Sequence, residues 1–162
     1  MSDLAQSAEV YVTTEQRARI FALYDAGLYM QAYRHAEDIG PLRNWRGTEA
    51  RILAGRMAGN LGSMRLSDGH LIHAWRQDRK HPEALWFFAR YLLGARGPLA
   101  AWKFVQSHPC PAEAAKELQS HWLSQHAAIL GRLRDFDAAE DWLNKAEAIG
   151  EEPWTCLERA GL

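Results

Sequence analysis

The sequence predicts an all-α fold, an α-α superhelix built from about four helical hairpins. Three observations carry that expectation. Apolar residues recur at three- and four-residue spacing over most of the chain, and no stretch alternates apolar and polar as a half-buried strand does. Gly and Pro clusters interrupt these stripes at regular intervals. Finally, two series of residues hold a common period. Phe21, Gly55, Ala89, Ala127 and Gly161 lie 34, 34, 38 and 34 apart, and four of the five are Gly or Ala. Ala32, Ser67, Ala101 and Ala139 lie 35, 34 and 38 apart, and all are small. Small residues recurring at fixed distances are what closely packed, repeated helix pairs require.

Residues 1–12 are small and polar without a period and read as a flexible tail up to residue 13. Thr13-Thr-Glu-Gln16 is a capping box, in which Thr and Gln side chains satisfy each other's backbone N–H groups at a helix start. Ile20, Phe21, Leu23 and Tyr24 give that helix its apolar face, and Gly27 breaks it. Tyr29, Ala32, Tyr33, Ala36 and Ile39 form the return stripe, which Gly40-Pro41 stops.

The second unit, about 48–81, places Ile52, Leu53, Gly55 and Ala58 on its first helix and turns at Asn60-Leu-Gly62. Leu66, Leu71, Ala74 and Trp75 mark the return helix, which Ser67 and Gly69 weaken. Pro82 suits the first turn of the next helix. Leu85, Trp86, Phe88, Ala89 and Leu92 follow, then a turn at 94–98, then Leu99, Ala101, Trp102 and Val105. Two prolines in His108-Pro-Cys110-Pro cannot lie within a helix and end the unit near 115. In the fourth unit, 116–153, the first helix is longer, about 112–132. After a polar turn Phe136 fills the corner between the helices, and Ala139, Leu143 and Ala146 recur at i, i+4 and i+7. Trp154, Leu157 and Leu162 start a fifth first helix. An array normally ends on a polar capping helix, so the chain reads as the N-terminal piece of a longer protein whose apolar end supports weak self-association.

The chain has 162 residues, 48% apolar, enough for one domain or a short array. No run is long enough to cross a bilayer, and the N-terminus lacks the basic start and apolar core of a secretory signal. Two cysteines make no disulfide framework. A cytoplasmic, reducing setting is the expectation, with no membrane partner. Net charge is −1, yet residues 1–42 sum to −3, 43–103 to +7 and 104–162 to −5. The basic middle carries no motif that reads nucleic acid.

No catalytic constellation is visible, and neither enzyme activity nor a cofactor is expected. His70 and His73 stand one helical turn apart with His81 nearby, but structural zinc wants four ligands, and no Asp, Glu or Cys completes the set. His108 and Cys110 are neighbours in a proline loop, which reads as a free thiol rather than a nucleophile with its base. His126 reads as a hydrogen-bonded, partly buried histidine. There is no glycine-rich phosphate loop after a strand.

The stretch Leu130 to Ala146, with its helix end, tight turn and Ala139-Leu143-Ala146 face, resembles the second half of a tetratricopeptide repeat. The resemblance covers about 14–162. It implies that the first helices line a concave groove for a peptide or helix of a protein partner. By resemblance that groove includes Glu15, Ala18, Ala22, Asp25, Glu49, Ile52, Arg56, Asn60, Glu83, Trp86, Arg90, Leu93, His121, Ser124 and Arg132. Arg56 and Arg90 fall in one slot of neighbouring repeats. Each either pairs with a local Glu or serves a ligand, and the ligand reading implies a segment carrying acidic residues beside an apolar anchor. The carboxylate clamp of chaperone-binding members is missing: its slots hold Ala18, Ala22, Leu53, Glu83 and Phe87. Two other roles fit the resemblance, a small secretion-chaperone-like protein and an accessory domain of an enzyme, cysteine peptidase-like, whose catalytic part lies beyond residue 162.

Overall fold

The computed structural model describes residues 8–150. They are all-helical apart from one minimal strand pair. In order the elements are β1 (Val10–Tyr11), α1 (Thr14–Asp25), α2 (Tyr29–Ile39), a 3-10 turn (Leu42–Asn44), β2 (Trp45–Arg46), α3 (Thr48–Asn60), α4 (Met64–Gln77), α5 (Pro82–Ala95), α6 (Pro98–Ser107), α7 (Lys116–Arg132) and α8 (Phe136–Ile149). Consecutive helices pack as the pairs α1 with α2, α3 with α4, α5 with α6 and α7 with α8. The chain forms two compact units, divided between Asp78 and Arg79.

Helix starts follow local chemistry. At α1 the Thr13 hydroxyl accepts from Gln16 N at 3.2 Å, and Gln16 Oε1 accepts from Thr13 N at 2.9 Å, the expected capping box. Pro82 and Pro98 occupy the first turns of α5 and α6, where a missing N–H costs nothing. Asp135 caps α8 by accepting from Ala138 N at 3.3 Å.

The turns within the pairs repeat one backbone design. Gly27, Gly62 and Arg134 adopt φ of 76°, 83° and 64°. In each, the next residue's N–H donates to the carbonyl five back: Leu28 to Leu23, Ser63 to Ala58 and Asp135 to Leu130. The positive-φ residue itself donates to the carbonyl three back: Gly27 to Tyr24, Gly62 to Gly59 and Arg134 to Gly131. This paired closure uses the carbonyls left open at a helix C-terminus. Gly97, at φ 85°, marks the α5–α6 turn.

The small residues of both series lie in the interior. Gly55, Ala89, Ala127, Ala32, Ser67, Ala101 and Ala139 are all buried. A Cβ added at Gly55 would stand 2.8 Å from Leu71 Cγ and 3.3 Å from the Ser67 carbonyl, so that crossing admits only glycine without a shift. Phe21 departs from its series and is 41% exposed. The longer spacing before Ala127 comes from α7 itself, which has 17 residues against 13 in α3 and 14 in α5.

Four expectations need correction. Residues 8–13 are not loose. Val10 and Tyr11 pair in parallel with Trp45 and Arg46, and Val10 packs so closely on Gly40 that a Cβ there would sit 2.8 Å from its Cγ2. Gly40 also holds φ 148°, which favours glycine. Strands were not expected, and a two-residue pair is too short to show alternation. Third, α7 begins at Lys116 rather than near 112, because the Gln119 amide donates to the carbonyls of Ala114 (2.7 Å) and Ala112 (3.3 Å) and holds a non-helical turn. Last, Phe136 fills no corner, being 48% exposed at the start of α8. The fifth-helix residues Trp154, Leu157 and Leu162, and Gly161, lie outside the described residues.

In the first unit Ile20, Ala32, Ala36, Leu42, Trp45, Ala50, Leu53, Ala54 and Met57 form one core, with Val10, Val12 and Leu66 packed on it. In the second unit Ala127, Leu130, Ala139 and Leu143 form a core, with Trp102 and Trp142 against it.

Candidate functional site

In the first unit, α1 and α3 meet along a strip of cross-helix pairings. Residues 17, 21 and 24 on α1 and 49, 56 and 60 on α3 repeat at three-, four- and seven-residue steps, so each set shares a face. Arg17 and Glu49 form an ion pair. Further along, the Arg56 guanidinium lies over the Phe21 ring at 5.4 Å and the Tyr24 ring at 4.8 Å. At the helix ends the Asn60 amide donates to the Tyr24 hydroxyl at 2.7 Å. Tyr29 leans on Tyr24 with ring centres 5.1 Å apart. The exposed Arg17–Glu49 pair contributes under about 1 kcal/mol, and the cation–π contact about 0.5–1 kcal/mol at a partly exposed position. These contacts therefore orient side chains more than they hold the fold.

In the second unit the matching helices are α5 and α7. Trp86 stacks on His121 at 5.0 Å and 19° between planes, and the Arg90 guanidinium lies over the Trp86 ring at 5.0 Å. Arg132 reaches from α7 to donate to the Leu93 carbonyl at 3.5 Å. Glu83 sits in the first turn of α5, where a carboxylate suits the helix dipole.

Within each unit, some of the residues expected in the groove lie near one another. Arg56, Asn60 and Glu49 share the first strip, and Trp86, Arg90 and His121 share the second. Each of the two arginines lies over an aromatic ring. Three positions are not open walls: Ile52, Leu93 and Trp86 are 2%, 7% and 9% exposed. Their apolar bodies belong to the interior, as burial of large apolar groups dictates. Ser124 is likewise buried, whereas Glu15, Ala18, Ala22 and Asp25 are exposed on α1. Phe21, Tyr24 and Arg17 were missed as site residues. Phe21 stood out in sequence only as a misfit in a small-residue slot, and that misfit is what carries Arg56.

The histidines serve other ends. His126 Nδ1 donates to the Trp122 carbonyl at 2.9 Å, and its ring stacks on Trp142 at 4.3 Å with Trp102 and Trp122 edge-on at 6.1 Å. Burial holds its pKa down, with the Trp122 hydrogen bond opposing. His70 is buried, and burial first, then Arg51, His73 and Arg46, lower its pKa from 6.5 to about 4. The unfolded chain thus binds more protons than the folded one between those values. Stability is fully present above about pH 6.5 and is lost as pH falls through about 4. Urea titrations at pH 7 and pH 4.5 should show a loss on the order of 2 kcal/mol from this group, and His70→Gln should flatten that slope. An unchanged slope in the variant would assign the acid loss elsewhere. Burial, and Glu113 after it, push the Cys110 thiol up, the opposite of an activated nucleophile. Among the described residues no three His, Cys, Asp or Glu side chains cluster as metal ligands, and no helix is long and apolar enough to cross a membrane. No protein-family model, curated protein or solved structure matches this chain.

Proposed function

We propose that the chain is a tetratricopeptide-type α-α superhelix that binds a protein partner, taking an extended or helical segment with acidic residues beside an apolar anchor. One observation carries this reading. On the first-helix stripe of each unit an arginine rests on an aromatic ring, Arg56 on Phe21 and Tyr24, and Arg90 on Trp86. A guanidinium held over a ring has lost part of its rotamer freedom before any ligand arrives, so less is lost on binding. Its in-plane N–H fork matches a carboxylate with two parallel hydrogen bonds. The exposed Phe21 ring beside Arg56 offers the apolar contact. The +7 charge of residues 43–103 favours approach of an acidic segment, and affinity falls as salt rises.

Wild type and an Arg56→Glu, Arg90→Glu variant serve as baits in a pull-down, and any recovered partner is titrated against both at rising salt. The double variant should bind at least about a hundredfold more weakly, because each site loses an attraction and gains a repulsion. Its helical circular dichroism should match wild type, since neither arginine is in the core. Equal recovery by both baits would sink the proposal.

A further inference from the structure

Three aromatic rings stand in contact along one edge of the first unit. Phe21 and Tyr24 of α1 stack with ring centres 6.3 Å apart and 26° between planes. Tyr29, at the start of α2, meets Tyr24 at 5.1 Å and 56°. Phe21 and Tyr29 are exposed, Tyr24 is half-buried, and Leu28 beside Tyr29 is exposed as well. Large rings grouped in water have the make-up of a contact surface.

The α3 side of the strip shapes this row into a shelf. Arg56 reaches over Phe21 and Tyr24, and the Asn60 amide reaches the Tyr24 hydroxyl. Ile52 lies on the same face of α3 and is buried, so rings and polar groups face outward rather than an apolar trench. A helical ligand lays an apolar ridge into such a trench, whereas a polyproline II chain docks on aromatic side chains. The Tyr24 hydroxyl accepts from the Asn60 amide at 2.7 Å and keeps its own proton to give. A polyproline II chain makes no hydrogen bonds within itself, so its carbonyls are open to that donor. Its shape is also set before binding, so less freedom is lost.

The Arg56 charge selects the rest of the ligand. It repels a quaternary ammonium, a common guest of grouped rings, and attracts a carboxylate. Arg17 of the same strip is paired with Glu49, which leaves the strip poorly matched to a row of phosphates. On the reading that the chain binds a protein segment, we infer that this shelf takes an extended, proline-bearing segment with Glu or Asp beside the proline. The prolines lie on Phe21, Tyr24 and Tyr29, a main-chain carbonyl accepts from the Tyr24 hydroxyl, and the carboxylate meets Arg56.

Labelled peptides of repeated Glu-Pro-Pro, Lys-Pro-Pro and Glu-Ala-Ala are titrated with the full chain and followed by fluorescence anisotropy. Glu-Pro-Pro should bind tightest, with the other two at least about tenfold weaker. Phe21→Ala, at an exposed position, should weaken Glu-Pro-Pro about tenfold. Tyr24→Phe keeps the ring, loses the donor and should weaken it severalfold. Both variants should keep the wild-type helical circular dichroism. Equal affinity for Glu-Ala-Ala would overturn the inference and leave an acidic helical segment as the ligand, in keeping with the broader proposal. Equal affinity for Lys-Pro-Pro, Glu-Pro-Pro binding that neither variant weakens, or no binding of any peptide would overturn it too. Recovery of a partner by wild type but not by the double arginine variant would uphold the broader proposal in each of these cases.

Discussion

Trp45→Ala should destabilise the first unit by about 3–5 kcal/mol, the range for removing a large aromatic side chain from a core. Trp45 is fully buried among Ile20, Ala36, Leu53 and Met57, and its indole N–H donates to the Gly40 carbonyl at 2.9 Å. Truncation opens a cavity and strands that carbonyl at once. Its backbone also pairs with Val10, so loss of the ring loosens the strand pair as well. Chemical denaturation followed by circular dichroism measures the loss. Trp45→Phe keeps most of the apolar area and should cost far less. A loss below about 1 kcal/mol for the alanine variant would mean that Trp45 is not the centre of this core.

Ala139→Leu should cost about 1–3 kcal/mol by overpacking. Ala139 is fully buried on α8 against Ala127 and Leu130 of α7 and Leu143 of its own helix. Three added carbons there must push the two helices apart or force strained rotamers. Ala148 lies on the exposed side of α8, so Ala148→Leu is the matched control and should leave the melting curve within error. A melting curve unchanged by Ala139→Leu would remove the packing basis of the small-residue series.

Much of the helical organisation was legible because it rests on local chemistry. The Thr13–Gln16 box, the prolines at 82 and 98, and the breaks at Gly27 and Gly62 each act over a few residues and leave their mark in the sequence. Small residues recurring at spacings of 34 to 38 pointed to positions in the interior. The fourth turn was legible too, although Arg134 holds the left-handed conformation that glycine holds at the other turns. Its polar neighbours and the Asp135 cap were the available signal. Contacts between distant segments left little trace. Nothing in Glu9 announces Arg46, and nothing in Phe21 announces Arg56, because each partner lies some 35 residues away. For the site, residue types and stripe were readable, but whether Ile52 and Leu93 line a surface or fill the interior depended on packing that a one-dimensional pattern does not contain.

The pairing of Val10 with Trp45 sets an order of events for the growing chain. Helix pairs such as α3 with α4 draw on neighbouring segments and can close as soon as both are made. The strand pair instead joins the two ends of a loop that contains the whole of α1 and α2. Its closure entropy is that of a long loop, and only two residues of ladder and the Glu9–Arg46 contact offset it. It is therefore a late event, formed after the first helix pair has shortened the distance between its ends. The N-terminal strand works as a latch on a hairpin already built, and its backbone amides should be among the first in this unit to exchange with solvent deuterium.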